Sequence, residues 1–85
     1  FKLSRGRLLL TLPGHQGNIH TDETKAFRIH FPIYTNNQSI MIFGDKQYHM
    51  PVNGYAYLAN TKKPHSFYNN GETKRLHLVY TIQSL

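Results

Sequence analysis

At 85 residues the chain is large enough for one small domain with a modest core, and it carries a formal charge of +6 with no cysteine. The lack of cysteine excludes a disulfide framework and any thiolate metal site, so a metal here must be held by His, Asp or Glu. No apolar run is long enough to cross a bilayer and no charged-then-apolar leader opens the chain, which reads as a cytoplasmic protein without membrane contact.

The first residue is Phe1 rather than Met, so a trimmed chain with further N-terminal sequence is expected. The basic residues are dispersed: Lys2, Arg5 and Arg7 open the chain, Lys62 and Lys63 follow late, and Lys74 and Arg75 come after them, with no helix to gather them into a stripe. That dispersion argues against specific nucleic-acid binding and fits a positive field that draws in small dianions.

Residues 8–12 form a short apolar run, Leu-Leu-Leu-Thr-Leu, closed by Pro13-Gly14. A buried strand and a turn are expected, because Gly6 and Pro13 bracket the run too closely for a helix. Residues 15–18 are polar loop, and 19–23 place His20-Thr21-Asp22 on an extended segment, where side chains at i and i+2 project to one face. Over 26–34 the chain alternates, Arg28 and His30 on one face and Phe27, Ile29 and Phe31 on the other. Pro32 cannot donate to a ladder, so this strand lies at an edge or bends there.

Residues 39–43 are strongly strand-like and stop at Gly44-Asp45, a pair suited to a tight hairpin whose return strand is 46–50. A turn at 51–54, a strand at 55–59, a turn at 69–72 and a last strand at 74–83 complete the chain. Roughly seven or eight short strands with no helical period predict an all-β fold. A small protein cannot safely leave strand edges open, so a closed or nearly closed double sheet of jelly-roll type is expected, with a ligand site at its mouth.

His20 and Asp22 could grip one ion from one side, and His65 in Lys63-Pro64-His65-Ser66-Phe67 is the candidate third ligand. Two histidines and a carboxylate with open positions form the facial site of non-haem Fe(II) oxygenases. With six His and four acidic residues in the chain, a His-x-acid triplet alone carries little weight, and each residue taken singly reads as ordinary loop. Two further triplets, Arg28-Ile29-His30 and Arg75-Leu76-His77, each put an Arg and a His on one strand face. Arg75 follows His65 by ten residues, the reach of a strand, a turn and the start of the next strand, so the two could line one cavity.

The ordered set His20-x-Asp22, Arg28-x-His30-Phe31-Pro32-Ile33, Asn53-Gly54, Pro64-His65-x-x-x-Asn69-x-Gly71 and Arg75-Leu76-His77-Leu78-Val79-Tyr80 resembles the aspartyl/asparaginyl β-hydroxylase family, from Leu8 onward. That family belongs to the Fe(II)- and 2-oxoglutarate-dependent oxygenases. The resemblance implies a double-stranded β-helix, a cupin-like barrel, with residues 1–85 as a single oxygenase core. It implies Fe(II) held by His20, Asp22 and His65, with positions left open for 2-oxoglutarate and dioxygen.

By the same resemblance Arg75 clamps the distal carboxylate of 2-oxoglutarate, a task its planar guanidinium suits better than a lysine would, and Arg28 and His30 lie near the cosubstrate and substrate. The implied reaction is decarboxylation of 2-oxoglutarate to succinate, coupled to hydroxylation of an amino acid or a peptide side chain. Asp22 separates the chain from secretory-compartment members that lack the carboxylate ligand and sets it nearer the bacterial free-amino-acid (proline) hydroxylases. Members of the family carry more chain before this core.

Plainer readings stand beside these. Arg28 and His30 could be hydrogen-bonded barrel lining, His77 a buried structural histidine, and His15 and His49 loop or surface residues. The Tyr and Phe residues read as packing, and Thr11 as a further contact for the distal carboxylate. For the whole chain the alternative is a non-enzymatic cupin-like binding or assembly module, its site decayed or its barrel completed by a homodimer.

Overall fold

Gly44-Asp45, the sharpest turn signal in the sequence, closes a hairpin in the computed structural model, which describes residues 2–18 and 27–84. Strand β3 (Ser39–Phe43) pairs antiparallel with β4 (Lys46–Tyr48) in the register Phe43↔Lys46, and Gly44 takes a φ of 62°. A positive φ at the first central residue is what a two-residue hairpin loop asks of its glycine. The return strand is shorter than the expected 46–50, because the chain leaves the ladder after Tyr48.

The other strands are β1 (Lys2–Thr11), β2 (Phe27–Tyr34), β5 (Tyr57–Ala59), β6 (His65–Asn69) and β7 (Arg75–Ser84). They form two antiparallel sheets, ordered β1-β7-β2-β5 and β4-β3-β6. The expected strand at 19–23, with His20 and Asp22, lies outside the described residues. After β1 the chain turns at Pro13-Gly14 and leaves the first sheet for the second. There residues 14–17 run beside β6 through Gly14 N–H to Asn69 O (2.7 Å), Asn69 N–H to His15 O (2.8 Å) and Gly17 N–H to Phe67 O (2.8 Å). Strands that cross from one sheet to the other in this way make a jelly roll. No helix of the described residues is long and apolar enough to cross a membrane.

Pro32 sits where the sequence requires. β5 pairs with β2 only over Arg28–His30, and the β2–β7 register shifts between Pro32 and Tyr34. The proline therefore falls just past the flanking strand and at a bulge, where its missing N–H leaves no gap in a ladder. A second bulge interrupts β1 between Ser4 and Arg7, with Arg5 at a φ of 53°. The Tyr80 ring lies against Gly6 there, in space that a Cβ would occupy.

One expectation is corrected by the facing of the sheets. The run at 8–12 is not a buried strand: Leu8 is 61 % exposed and Leu10 54 %. Cross-strand partners share a face, so the registers Leu8↔Leu78, Phe31↔Leu78, Leu10↔Leu76, Ile29↔Tyr80 and Ile29↔Leu58 gather these apolar side chains on one side of the first sheet, its outer side. The physical reason is period: β1 is an edge strand, and the opposite face, with Thr11 and Leu9, is the one turned to the second sheet.

Thr11, His30, Arg75, His77 and Val79 are buried on that inner face. Facing them from the second sheet are Met41, His65 and Asn69, also buried. Among the described residues the interior thus holds more buried polar than buried apolar side chains, the opposite of an ordinary core.

Candidate active site

A cavity of about 170 Å³ opens between the two inner faces. Arg28, His30, Arg75, Thr11 and Leu9 line it from the first sheet, and Met41, His65 and Phe67 from the second. Four of the expected site residues, His65, Arg75, Arg28 and His30, therefore meet at one cavity, and Thr11 joins them. His20 and Asp22 lie outside the described residues, and among the described residues no three His, Asp or Glu converge on one point.

Arg75 opens β7 directly across from Thr11 at the end of β1. Its side chain is only 4 % exposed. Nη1 donates to the thioether of Met41 at 3.2 Å, the guanidinium lies 5.4 Å from the Phe67 ring centroid, and Nε has no hydrogen-bond partner. A thioether is a weak acceptor and does not compensate the charge. The acids of the described stretches, Asp45 and Glu72, are exposed in turns, and among the described residues no carboxylate lines the cavity. Burial pushes the guanidinium down to about 10, still charged at neutral pH.

His30 and His77 meet edge to face, with Nδ1 to Nδ1 at 3.0 Å and ring planes at 84°. Burial, reinforced by the Arg75 charge, holds His30 down at about 4 and His77 at about 3. Two neutral rings can share that bond only if one Nδ1 carries hydrogen and the other a lone pair. His77 Nε2 is buried without a partner, and a stranded acceptor is tolerated better than a stranded N–H. We therefore assign the hydrogen to His77 Nδ1, which leaves His30 with its N–H on Nε2. His30, unlike His77, lines the cavity, so the pair fixes the tautomer of a cavity-lining ring. The reading of His77 as a buried, hydrogen-bonded histidine agrees with this placement.

His65 starts β6 and is buried. Its Nδ1 lies 2.8 Å from the Lys63 carbonyl oxygen, which can only accept, so Nδ1 carries the hydrogen and the neutral ring keeps its lone pair on Nε2. Phe43 stacks against the ring at 5.9 Å between centroids and 28° between planes. An imidazole anchored by one nitrogen to a backbone carbonyl and fixed in rotation is how metal-binding histidines are held.

Residues 4–84 match the family described as Aspartyl/Asparaginyl beta-hydroxylase. The chain belongs to that family. Membership supports an enzyme of oxygenase type, and the fold agrees: a protein described as a predicted oxalate decarboxylase from Thermotoga maritima superposes with a TM-score of 0.74 at 20 % identity, over 95 % of this chain and 67 % of that one. The protein TT1209 from Thermus thermophilus superposes with a TM-score of 0.66 at 23 % identity, over 87 % of this chain and 67 % of that one. At such identities the likeness concerns the fold, a small double-stranded β-helix. No curated protein matches the sequence significantly.

What holds the site of this β-hydroxylase-family chain in shape carries little signal in the sequence. Asn69, expected as part of a turn and as a member of the family-like motif with no role of its own, is fully buried and makes every hydrogen bond its amide allows. Nδ2 donates to the carbonyls of Thr11 (3.0 Å) and Thr73 (2.9 Å), while Oδ1 accepts from Gly71 N–H (3.0 Å) and Asn36 Nδ2 (3.1 Å). It thereby ties the end of β1 and the turn before β7 to β6, fixing Thr11 and Arg75 relative to His65. Met41 and Thr61 also line the cavity. For Phe67 the signal existed, since it shares a strand face with His65 at i+2; for Thr61 the sequence held none. His49, expected in a loop or at the surface, lies just past β4 and is half-buried, with Nδ1 3.1 Å from the Ser39 carbonyl.

Proposed function

We propose that this chain is the core of an Fe(II)- and 2-oxoglutarate-dependent hydroxylase of an amino acid or a peptide side chain, from the branch with a complete two-histidine, one-carboxylate triad. The observation that carries this is Arg75. An uncompensated buried cation costs several kcal/mol, and its place at a cavity wall gives that cost a purpose when an anion arrives from outside. A guanidinium meets a carboxylate through two parallel hydrogen bonds, and both its unpartnered Nε and its thioether-bound Nη1 can serve such a ligand. Thr11, across the ladder, and His30 add hydrogen-bonding groups at the same wall. At about 170 Å³ the cavity has the volume of roughly five or six water molecules, which suits a small dicarboxylate and excludes a peptide.

The residues also fit the metal. His65 has the anchored Nδ1–H that fixes Nε2 as a ligating nitrogen, and the 14–17 run beside β6 leads at Asn18 into the segment that carries His20 and Asp22. His20, Asp22 and His65 would hold Fe(II), which with 2-oxoglutarate and dioxygen supplies decarboxylation to succinate and hydroxylation of a C–H bond. The chain's own groups do the rest. Arg75 binds and orients the cosubstrate, His30 lines the wall in one fixed tautomer, and Phe67 with Leu9 and Met41 excludes water from it.

His65→Ala with the fold retained should abolish both Fe(II) binding and succinate formation. Unchanged 2-oxoglutarate consumption in that variant would overturn the assignment. The exposed apolar face of the first sheet favours a second reading, a non-enzymatic assembly module that dimerises; a metal-free dimer with no affinity for 2-oxoglutarate would select it.

A further inference from the structure

A second cavity, of about 420 Å³, lies along the seam where edge strand β4 of one sheet meets edge strand β5 of the other. Phe43, Tyr48 and Tyr57 wall it with rings, buried Met50 and Ala59 add apolar surface, and Lys63 supplies a positive charge. Among the described residues no carboxylate lines it. Its volume falls in the range of small-molecule sites, roughly 300–1,000 Å³, whereas the cationic cavity is far below that range.

The two cavities stand back to back. Phe43 lines the larger one while its ring stacks on His65, which lines the smaller. Lys63 borders the larger one while its carbonyl holds the His65 Nδ1 hydrogen. A group seated against Phe43 is thus separated from His65 by the thickness of one ring.

We propose that the larger cavity binds a bulky apolar carboxylic acid of amino-acid size, its hydrocarbon body against Phe43, Tyr48 and Tyr57 and its carboxylate at Lys63. That this ligand is the group to be hydroxylated rests on the hydroxylase reading above; the binding itself does not. The rings supply most of the affinity, because Lys63 is exposed and an exposed ion pair contributes little. The carboxylate then selects for sign more than it adds strength.

The test is an NMR titration of the metal-free, nitrogen-15-labelled chain with 3-phenylpropionate, and with 3-phenylpropylamine as the opposite charge. Saturable shifts are expected around Phe43, Tyr48, Met50 and Tyr57 with the acid. Tyr48→Ala, at a half-exposed position that spares the fold, should weaken them about tenfold; Lys63→Gln should weaken them about threefold and abolish the preference for acid over amine. The proposal fails if no saturable shift appears, if shifts centre on Arg75 and Thr11, or if the amine binds as well as the acid. Since neither metal nor 2-oxoglutarate is present, that failure leaves the hydroxylase reading standing. Loss of the hydroxylase reading in the His65→Ala experiment, conversely, leaves these shifts unchanged.

Discussion

Replacing Arg75 by Met should stabilise the protein and abolish its response to 2-oxoglutarate. The guanidinium is almost wholly buried, and its pKa falls by more than two units to about 10 because burial disfavours the charged form. Every tenfold change in a protonation equilibrium corresponds to about 1.4 kcal/mol, so burial of the charge costs about 3 kcal/mol in the ligand-free fold. The sign follows from the direction. Below about pH 10 the group is charged in folded and unfolded chains alike, so the full cost is present at neutral pH, and it is relieved only as pH climbs above about 10 toward the ordinary arginine range.

Methionine keeps the length and the packing against Phe67 and Met41 while removing the charge. The lost cation–π contact and the lost Nη1 hydrogen bond to Met41 return up to about 1 kcal/mol each, leaving a net gain of roughly 1–3 kcal/mol. For a domain of this size that raises the unfolding midpoint by about 5–15 °C. Thermal unfolding followed by circular dichroism reads both arms. A 2-oxoglutarate concentration a hundredfold above its dissociation constant should add about 2.7 kcal/mol to the parent and nothing to Arg75→Met. A variant less stable than the parent, or one that 2-oxoglutarate still stabilises, would refute the reasoning.

The His30–His77 pair predicts acid sensitivity. The unfolded chain takes up protons on both rings below about pH 6.5, while the folded pair resists until about 4 and about 3. Stability is therefore full above pH 6.5 and falls with a slope approaching about 2.7 kcal/mol per pH unit in between; urea titrations that stay flat from pH 7 to 4.5 would contradict it. Asn69→Ala removes the Asn69 bonds to the Thr11 carbonyl and the Gly71 N–H, while the Thr73 carbonyl keeps Asn36 Nδ2, and should cost about 2–3 kcal/mol in urea unfolding, with 2-oxoglutarate affinity falling as Arg75 loses its turn. Gly44→Ala, at a φ of 62°, should cost about 1–2 kcal/mol and leave ligand binding intact, since the hairpin tip touches neither cavity.

The strand pattern was legible because turn chemistry is local: Gly44-Asp45, Asn53-Gly54 and Pro32 each act through their own backbone. That Arg28, His30 and Arg75 share a face was legible for a similar reason, since an Arg-x-His triplet states which residues lie together on a strand. What it could not state is which way that face points. Burial of leucines at 8–12 is the ordinary expectation for an apolar run, and it failed because the polar face of this sheet is the one turned to the cavity. Asn69 was illegible as a hub, as its four partners come from three separate stretches of chain that only the fold brings together. The pairing of His30 with His77 depends on strands distant in sequence in the same way.

A sheet that turns its arginine and histidines inward and its leucines outward also changes how substitutions should be read. In most domains a survey of all single replacements finds polar positions permissive and aliphatic ones strict. Here the ranking inverts along β1 and β7: Leu8, 61 % exposed and outside both cavities, should accept serine or lysine readily, while Thr11, Arg75 and His77 should accept almost nothing without loss of function. A tolerance map of this chain would therefore trace the cavity from its polar residues and would mistake the cavity wall for surface if scored by hydrophobicity alone.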